Sequence, residues 1–500
     1  MGTTSRGRKP DEWASKVNHT HVINDPFVKS YLDNCSYPKD IREEDKTEIQ
    51  DLIHAVEDLD NPIEHILAVD GGYTLVEVNK NFPSSELAFF QFGALLFDKK
   101  DLTNLSVKPF IFPEDMQKLQ TLKRFKLVLP IKNINYKSQS SLTNAFRKTL
   151  YDFFMDFEGI CLMETLEWFI FETYKPRYKG SESEYRKLRE KRKEGEERKE
   201  EKVKEDYQRM FYTLGRNPNK TEKNGGIELH HKNMTQDYTF THEDGDIYLT
   251  DVFRFHEVID DDLGAAGVLG YVTRLVEQII IFNTIREIYY IKPKLLNKFL
   301  FIADGPLSFS GQTSNMHKSA RSLCNFLIKS KESNLYLVGV EKSGAFVEHA
   351  YKIRLREIPG HVEQQAVHNK DKDSKKYSGY LKRNNYLIPS NEYVYKYIAI
   401  GDSSTTIYGE TFYYSGKVLF HSKDGQVIVV SVPTENSNII TNPTKDKYTN
   451  IDVILKNIEL LKCDMYDNSL VPIALANKLV SLANHPSQVL LDKFASSSLN

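Results

Sequence analysis

Short apolar runs of strand length alternate along the chain with longer stretches whose apolar residues recur at helical spacing. Residues 66–69 (ILAV) read as a strand that stops at Asp70-Gly71-Gly72, and residues 86–97 (ELAFFQFGALLF) read as a second buried strand. Together they predict an early hairpin within a sheet. Residues 141–174 carry apolar side chains at helical spacing, and residues 264–290 (GAAGVLGYVTRLVEQIIIFNTIREIYY) predict a buried helix. That helix feeds a strand over 299–303, which stops at Asp304-Gly305-Pro306. A helix over 319–329 and a strand over 335–340 follow, the strand stopping at Glu341-Lys342-Ser343-Gly344. Strand, helix, strand in this order predicts α/β layering with a parallel pair. Further strands are expected at 409–414, 417–421 and 426–432, with a closing helix around 472–483.

The polar segments set the outline. Residues 1–60 read as a polar, largely helical extension. Residues 181–210 are almost all charged with mixed signs, and acid–base pairs three and four apart support a solvated helical arm. Residues 361–385 are polar and read as a loop.

Composition narrows the class. The chain has 500 residues, 40% hydrophobic and 27% charged, enough to bury a sizeable core. Its 67 basic and 69 acidic residues leave a net charge of -2, which argues against a surface that grips phosphates everywhere but permits a local basic groove. Four cysteines stand singly, with no CxxC pair, and suit a reducing cytoplasm better than a zinc knuckle or a disulfide framework. The opening residues lead into no apolar stretch, and apolar runs such as 279–282 fall far short of the ~20 residues a bilayer requires. A cytoplasmic protein without membrane association is expected.

The chemistry lies in acids that end apolar runs beside glycine: VDGG, ADGP and VEKSG. Strand ends are where α/β proteins place ligands, and glycine lets the backbone turn. Carboxylates gathered there repel one another unless a cation lies between them. Mg²⁺ or Mn²⁺, which prefer oxygen donors, would serve and would suit phosphodiester hydrolysis. Glu277 is a charge inside the most hydrophobic helix and must find water, a partner or a metal. Glu287, ten positions on, is a second candidate on that helix. Lys342 could hold a phosphate, and Glu341 beside it is a further candidate. His349 and His421 lack the paired spacing of a zinc site and read as packed or solvent-facing.

The ordered strings AVDGG, RLVEQIIIFNTIREI, FIADGPLSFSG, LVGVEKSGAFVEHA and LVPIALANKLVSLAN resemble the NurA nuclease family, especially its longer bacterial members. The likeness spans a domain at 61–490, with insertions near 175–225 and 360–390, and leaves a tail at 491–500. It implies an RNase H-like mixed sheet flanked by helices, with the charged helical insertion and extra C-terminal strands. It also implies a manganese- or magnesium-dependent nuclease acting on single-stranded DNA and duplex ends. Homodimerisation, and partnership with a HerA/FtsK-like hexameric ATPase in DNA repair or anti-phage defence, are expected. By position, Asp70, Glu277 and Asp304 match the metal-binding acids, and Lys342 matches a lysine after the next strand. The chain departs from the pattern at Asn477, where many members carry histidine; asparagine can coordinate a metal but cannot act as a general base near neutral pH. Two other readings stand beside this one. Asp70-Gly71-Gly72-Tyr73-Thr74 fits the phosphate loop of actin-like kinases and ATPases, and a non-catalytic scaffold could share the fold.

Overall fold

A computed structural model describes residues 22–41, 49–79, 81, 84–104, 122–157, 159–191, 207–220, 226–357, 377–463, 468–480, 490, 491, 494 and 495. Its centre is a mixed sheet of nine strands. In chain order these are β1 (Ile53–Ala55), β2 (His65–Asn79), β3 (Ser85–Asp98), β4 (Leu122–Lys132), β5 (Phe299–Asp304), β6 (Tyr336–Glu341), β7 (Asn385–Leu387), β8 (Ser415–His421) and β9 (Val427–Pro433). In space they run β1-β7-β8-β9-β6-β5-β2-β3-β4. β2, β3 and β4 form an antiparallel meander. β5 lies parallel to both β2 and β6, while β9, β8, β7 and β1 continue the sheet antiparallel.

Helices cover both faces. Residues alternate sides along each strand, so one parity of β2 (Leu67, Val69) enters one apolar core and the other (Ile66, Ala68) enters a second. The first core also takes α1 (Leu142–Met155), α2 (Leu162–Ile170), α3 (Leu269–Ile291) and α4 (His317–Lys329), the crossover between β5 and β6. A smaller cluster at the β7–β9 end of that face takes α5 (Ala345–Ile353). The second core takes α6 (Ile451–Leu461) and α7 (Val471–Val480). The segment Ala266–Ile291 is long and apolar enough to cross a membrane by length and composition, but 72% of its apolar window is buried inside the protein. Its apolar surface is therefore used by the core.

Three expectations change. β2 does not stop at Asp70: it runs on to Asn79, paired with β3 residue by residue from Asp70 opposite Gly93 to Thr74 opposite Phe89. The Gly-Gly pair is tolerated because the neighbouring strand supplies the register that the glycines cannot. This extended backbone also removes the loop that an actin-like phosphate site needs. Residues 409–414 form a turn rather than a strand: Gly409 takes φ +71, and its carbonyl accepts from the Phe412 and Tyr413 amides. Residues 1–60 are not merely an extension, since β1 pairs with β7 in the main sheet. Of the charged arm, Glu182–Lys191 is helical, while residues 192–206, like 361–376 of the polar loop, lie outside the described residues.

Candidate metal centre

Parallel pairing between β2 and β5 ends with Val69 opposite Ala303, so Asp70 and Asp304 are the next residues on adjacent strands. Asp70 shares its parity with Ile66 and Ala68, and Asp304 with Leu300 and Ile302, so both face the α6–α7 side. Glu277 arrives from the opposite face on α3, where it is buried. Gly71 lets the two sides meet. A Cβ there would lie 3.2 Å from Glu277 Oε1 and 2.5 Å from the Phe92 ring. Its amide donates to Asp70 Oδ1 at 2.9 Å. Gln278 steadies this turn of α3 by donating to the Ser308 carbonyl at 2.9 Å and accepting from the Tyr414 hydroxyl at 2.7 Å.

Gly71→Ala should therefore cost ~1–3 kcal/mol, because Phe92 is fully buried and has no room to move. It should also displace Glu277. Chemical denaturation measures the first effect, and the pH dependence of stability the second, since burial holds the Glu277 carboxyl above the usual carboxylate range.

Charge is unevenly balanced here. Asp70 is 3% exposed, and its Oδ2 is buried with no hydrogen-bond partner. Burial, then the nearby Asp304 charge, push its pKa up to about 7, against the opposing pull of Lys342, the Gly71 amide and Asn477. Burial pushes Glu277 well above the usual carboxylate range; Arg274 opposes this, while Asp70 and Asp304 add to it. Lys342 donates to Asp304 Oδ2 at 2.7 Å. Arg274 donates to the Asp304 main-chain carbonyl and packs on Gly305, whose φ of +97 and missing side chain make room for the guanidinium.

Oxygen donors, mutual repulsion and an orphaned buried carboxylate oxygen fit a hard divalent cation. The fit is not a preformed cage. Among the described residues, the group whose ligand atoms all lie within 4.8 Å of one another is His242, Glu243 and Asp244. That trio sits on a turn away from the sheet, and Asp244 is already paired with Lys220 at 2.9 Å and Asn217 at 3.0 Å.

The remaining candidates separate. Glu341 is buried but ion-paired with buried Lys417, which lies over the rings of Phe346 and Tyr413. Glu287 is exposed and accepts from Asn283 at 2.9 Å. Ten residues turn a helix through a net offset of about 80° and advance it ~15 Å, so Glu287 does not share the Glu277 position. Asn477, exposed on α7, comes close enough to Asp70 to favour its ionised form. His349 is buried against the Tyr393 hydroxyl at 2.7 Å, and His421 against the Leu381 carbonyl at 2.7 Å; neither joins the site. Arg274 is the residue that sequence reasoning undervalued. Its place three residues, about one turn, before Glu277 was the available signal. No protein-family model matches the chain, and no curated protein matches it.

Proposed function

We propose that the protein is a metal-dependent phosphodiesterase acting on DNA. One observation carries this reading: Asp70, buried with an unpartnered oxygen, lies level with Asp304 where β5 ends, and Glu277 enters from the other face. Within that class, the NurA type of DNA-end nuclease is the reading we favour. The run β4-β3-β2-β5-β6, three antiparallel strands followed by two parallel ones, supports an RNase H-like core. Action on single strands and duplex ends, a HerA-like hexameric ATPase partner and a second copy of the chain rest on the family resemblance alone. The free cysteines support a reducing, cytoplasmic setting.

Asp70, Glu277 and Asp304 would hold Mn²⁺ or Mg²⁺, which when bound supplies Lewis acidity and a more acidic water. Gly71 keeps the helical acid close to the strand acids. Arg274 fixes the turn after Asp304. Lys342, on the open side, places a positive charge where phosphoryl oxygens gain negative charge.

The test is cleavage of end-labelled single- and double-stranded DNA with Mn²⁺, Mg²⁺ or EDTA. Asp304→Ala should lower metal-dependent cleavage at least ~100-fold, since even changes behind a metal ligand cost ~10–100-fold. The Lys342–Asp304 ion pair favours one other reading, a non-catalytic scaffold whose acids are neutralised from within. Absence of cleavage with every metal, with and without the ATPase partner, would establish that scaffold instead.

A further inference from the structure

The acids of the candidate centre are not left wholly uncompensated. Among the described residues, three cations lie at or beside them, and two are committed. The Arg274 guanidinium is held by the Asp304 carbonyl and wedged on Gly305, while Lys417 is buried against Glu341 between two aromatic rings. Lys342 differs. Its side chain is 33% exposed, its ammonium sits 2.7 Å from Asp304 Oδ2, and its main-chain carbonyl accepts from Asn468 Nδ2 at 3.4 Å. The backbone is thus tethered, and the partly exposed stem is held at its tip by Asp304.

We propose that Lys342 competes with a divalent cation for Asp304, and that it moves to a substrate phosphate when the cation binds there. This rests on the metal-centre reading above. An ammonium and a divalent cation on one carboxylate oxygen repel, so the lysine must yield Asp304 Oδ2 before that atom can become a ligand. The field of Lys342 also reaches Asp70 and favours its ionised form. A DNA phosphate offers the displaced ammonium a new partner. DNA therefore makes it easier for the metal to enter, and by linkage the metal strengthens DNA binding by the same factor. Lys342 acts here as a gate on metal affinity in addition to its role beside the phosphate.

The experiment titrates the full-length protein with Mn²⁺, reading free Mn²⁺ by electron paramagnetic resonance. It is run with and without a phosphorothioate single strand that resists hydrolysis. Wild type should bind Mn²⁺ more tightly when the strand is present. Lys342→Met should bind at least ~10-fold more tightly than wild type without DNA and should lose the enhancement by DNA. Lys342→Gln, which keeps a donor for Asp304 without the charge, should shift in the same direction if the methionine variant folds poorly. Asp70→Asn serves as the control that weakens the site itself. Unchanged or weaker Mn²⁺ binding in both Lys342 variants, with wild-type binding intact and weakened by Asp70→Asn, would overturn the gate and leave the metal centre standing. No Mn²⁺ binding by any of these proteins would overturn both.

Discussion

Asp70→Asn should melt a few degrees above the wild-type protein in EDTA at pH 8, and should have lost metal-dependent DNA cleavage. The two effects share a cause. A carboxylate normally near 3.8 is pushed up to about 7 in the folded protein, first by burial and then by the Asp304 charge. Between those values the native state holds a proton that the unfolded chain has released, so stability falls as pH rises through this window and stays low above it. The shift corresponds to a cost on the order of 4 kcal/mol at pH 8. Glu277 is raised for the same first reason and contributes with the same sign. Asparagine removes the Asp70 charge and flattens the slope between about pH 4 and 7. Melting in EDTA across pH 4 to 9 checks this. An unchanged slope, or a less stable variant at pH 8, would show that burial does not oppose the Asp70 charge. Added Mn²⁺ should stabilise the wild type, since an ion that binds only the native state shifts the folding equilibrium by mass action. The variant should gain less.

Lys417→Met should destabilise the protein by ~3–5 kcal/mol, the usual result of removing one partner from a buried ion pair. Lys417 and Glu341 are both buried, and methionine, though it fills the stem's volume, leaves the carboxylate alone. The lost contacts to the Phe346 and Tyr413 rings add a smaller amount. A second substitution, Glu341→Gln, should restore much of the loss, because the uncompensated charge rather than the missing contact dominates. Denaturation of the two single variants and the double variant forms the cycle that measures this. An additive double variant would assign the effect to packing instead.

The β5–α4–β6 unit was plain in the sequence because its strands are continuous apolar runs and its helix keeps a helical period. The alignment of Asp70 with Asp304 was legible only as a repeated local pattern, since register between distant strands leaves no trace in either one. The course of β2 beyond Asp70 was hidden by chemistry that looks like a turn: Gly71 admits Glu277 of α3 on one face and Gly72 lies against the Val480 carbonyl of α7 on the other, and neither makes a reversal. β4 was overlooked although it carries a signal, its buried Phe125, Leu127 and Leu129 alternating with exposed Arg124, Lys126 and Val128. β1 and β7 are three residues each, too short for any period to appear. Lys417 gave no hint of being buried, because its carboxylate partner lies on another strand.

The short strand β1 has a consequence for how the chain is assembled and cut. It is made early, yet its pairing partner β7 comes more than three hundred residues later, and together they finish the far margin of the sheet. That margin can close only after most of the chain has been synthesised, which makes it a slow, long-range step. A fragment beginning at residue 61, the boundary suggested by the sequence, would present Asn385–Leu387 as a bare strand. Such an edge is a template for pairing with another chain. Pairing with β1 therefore covers one side of β7, and a fragment that lacks Ile53–Ala55 should be less stable and associate more readily than the full chain.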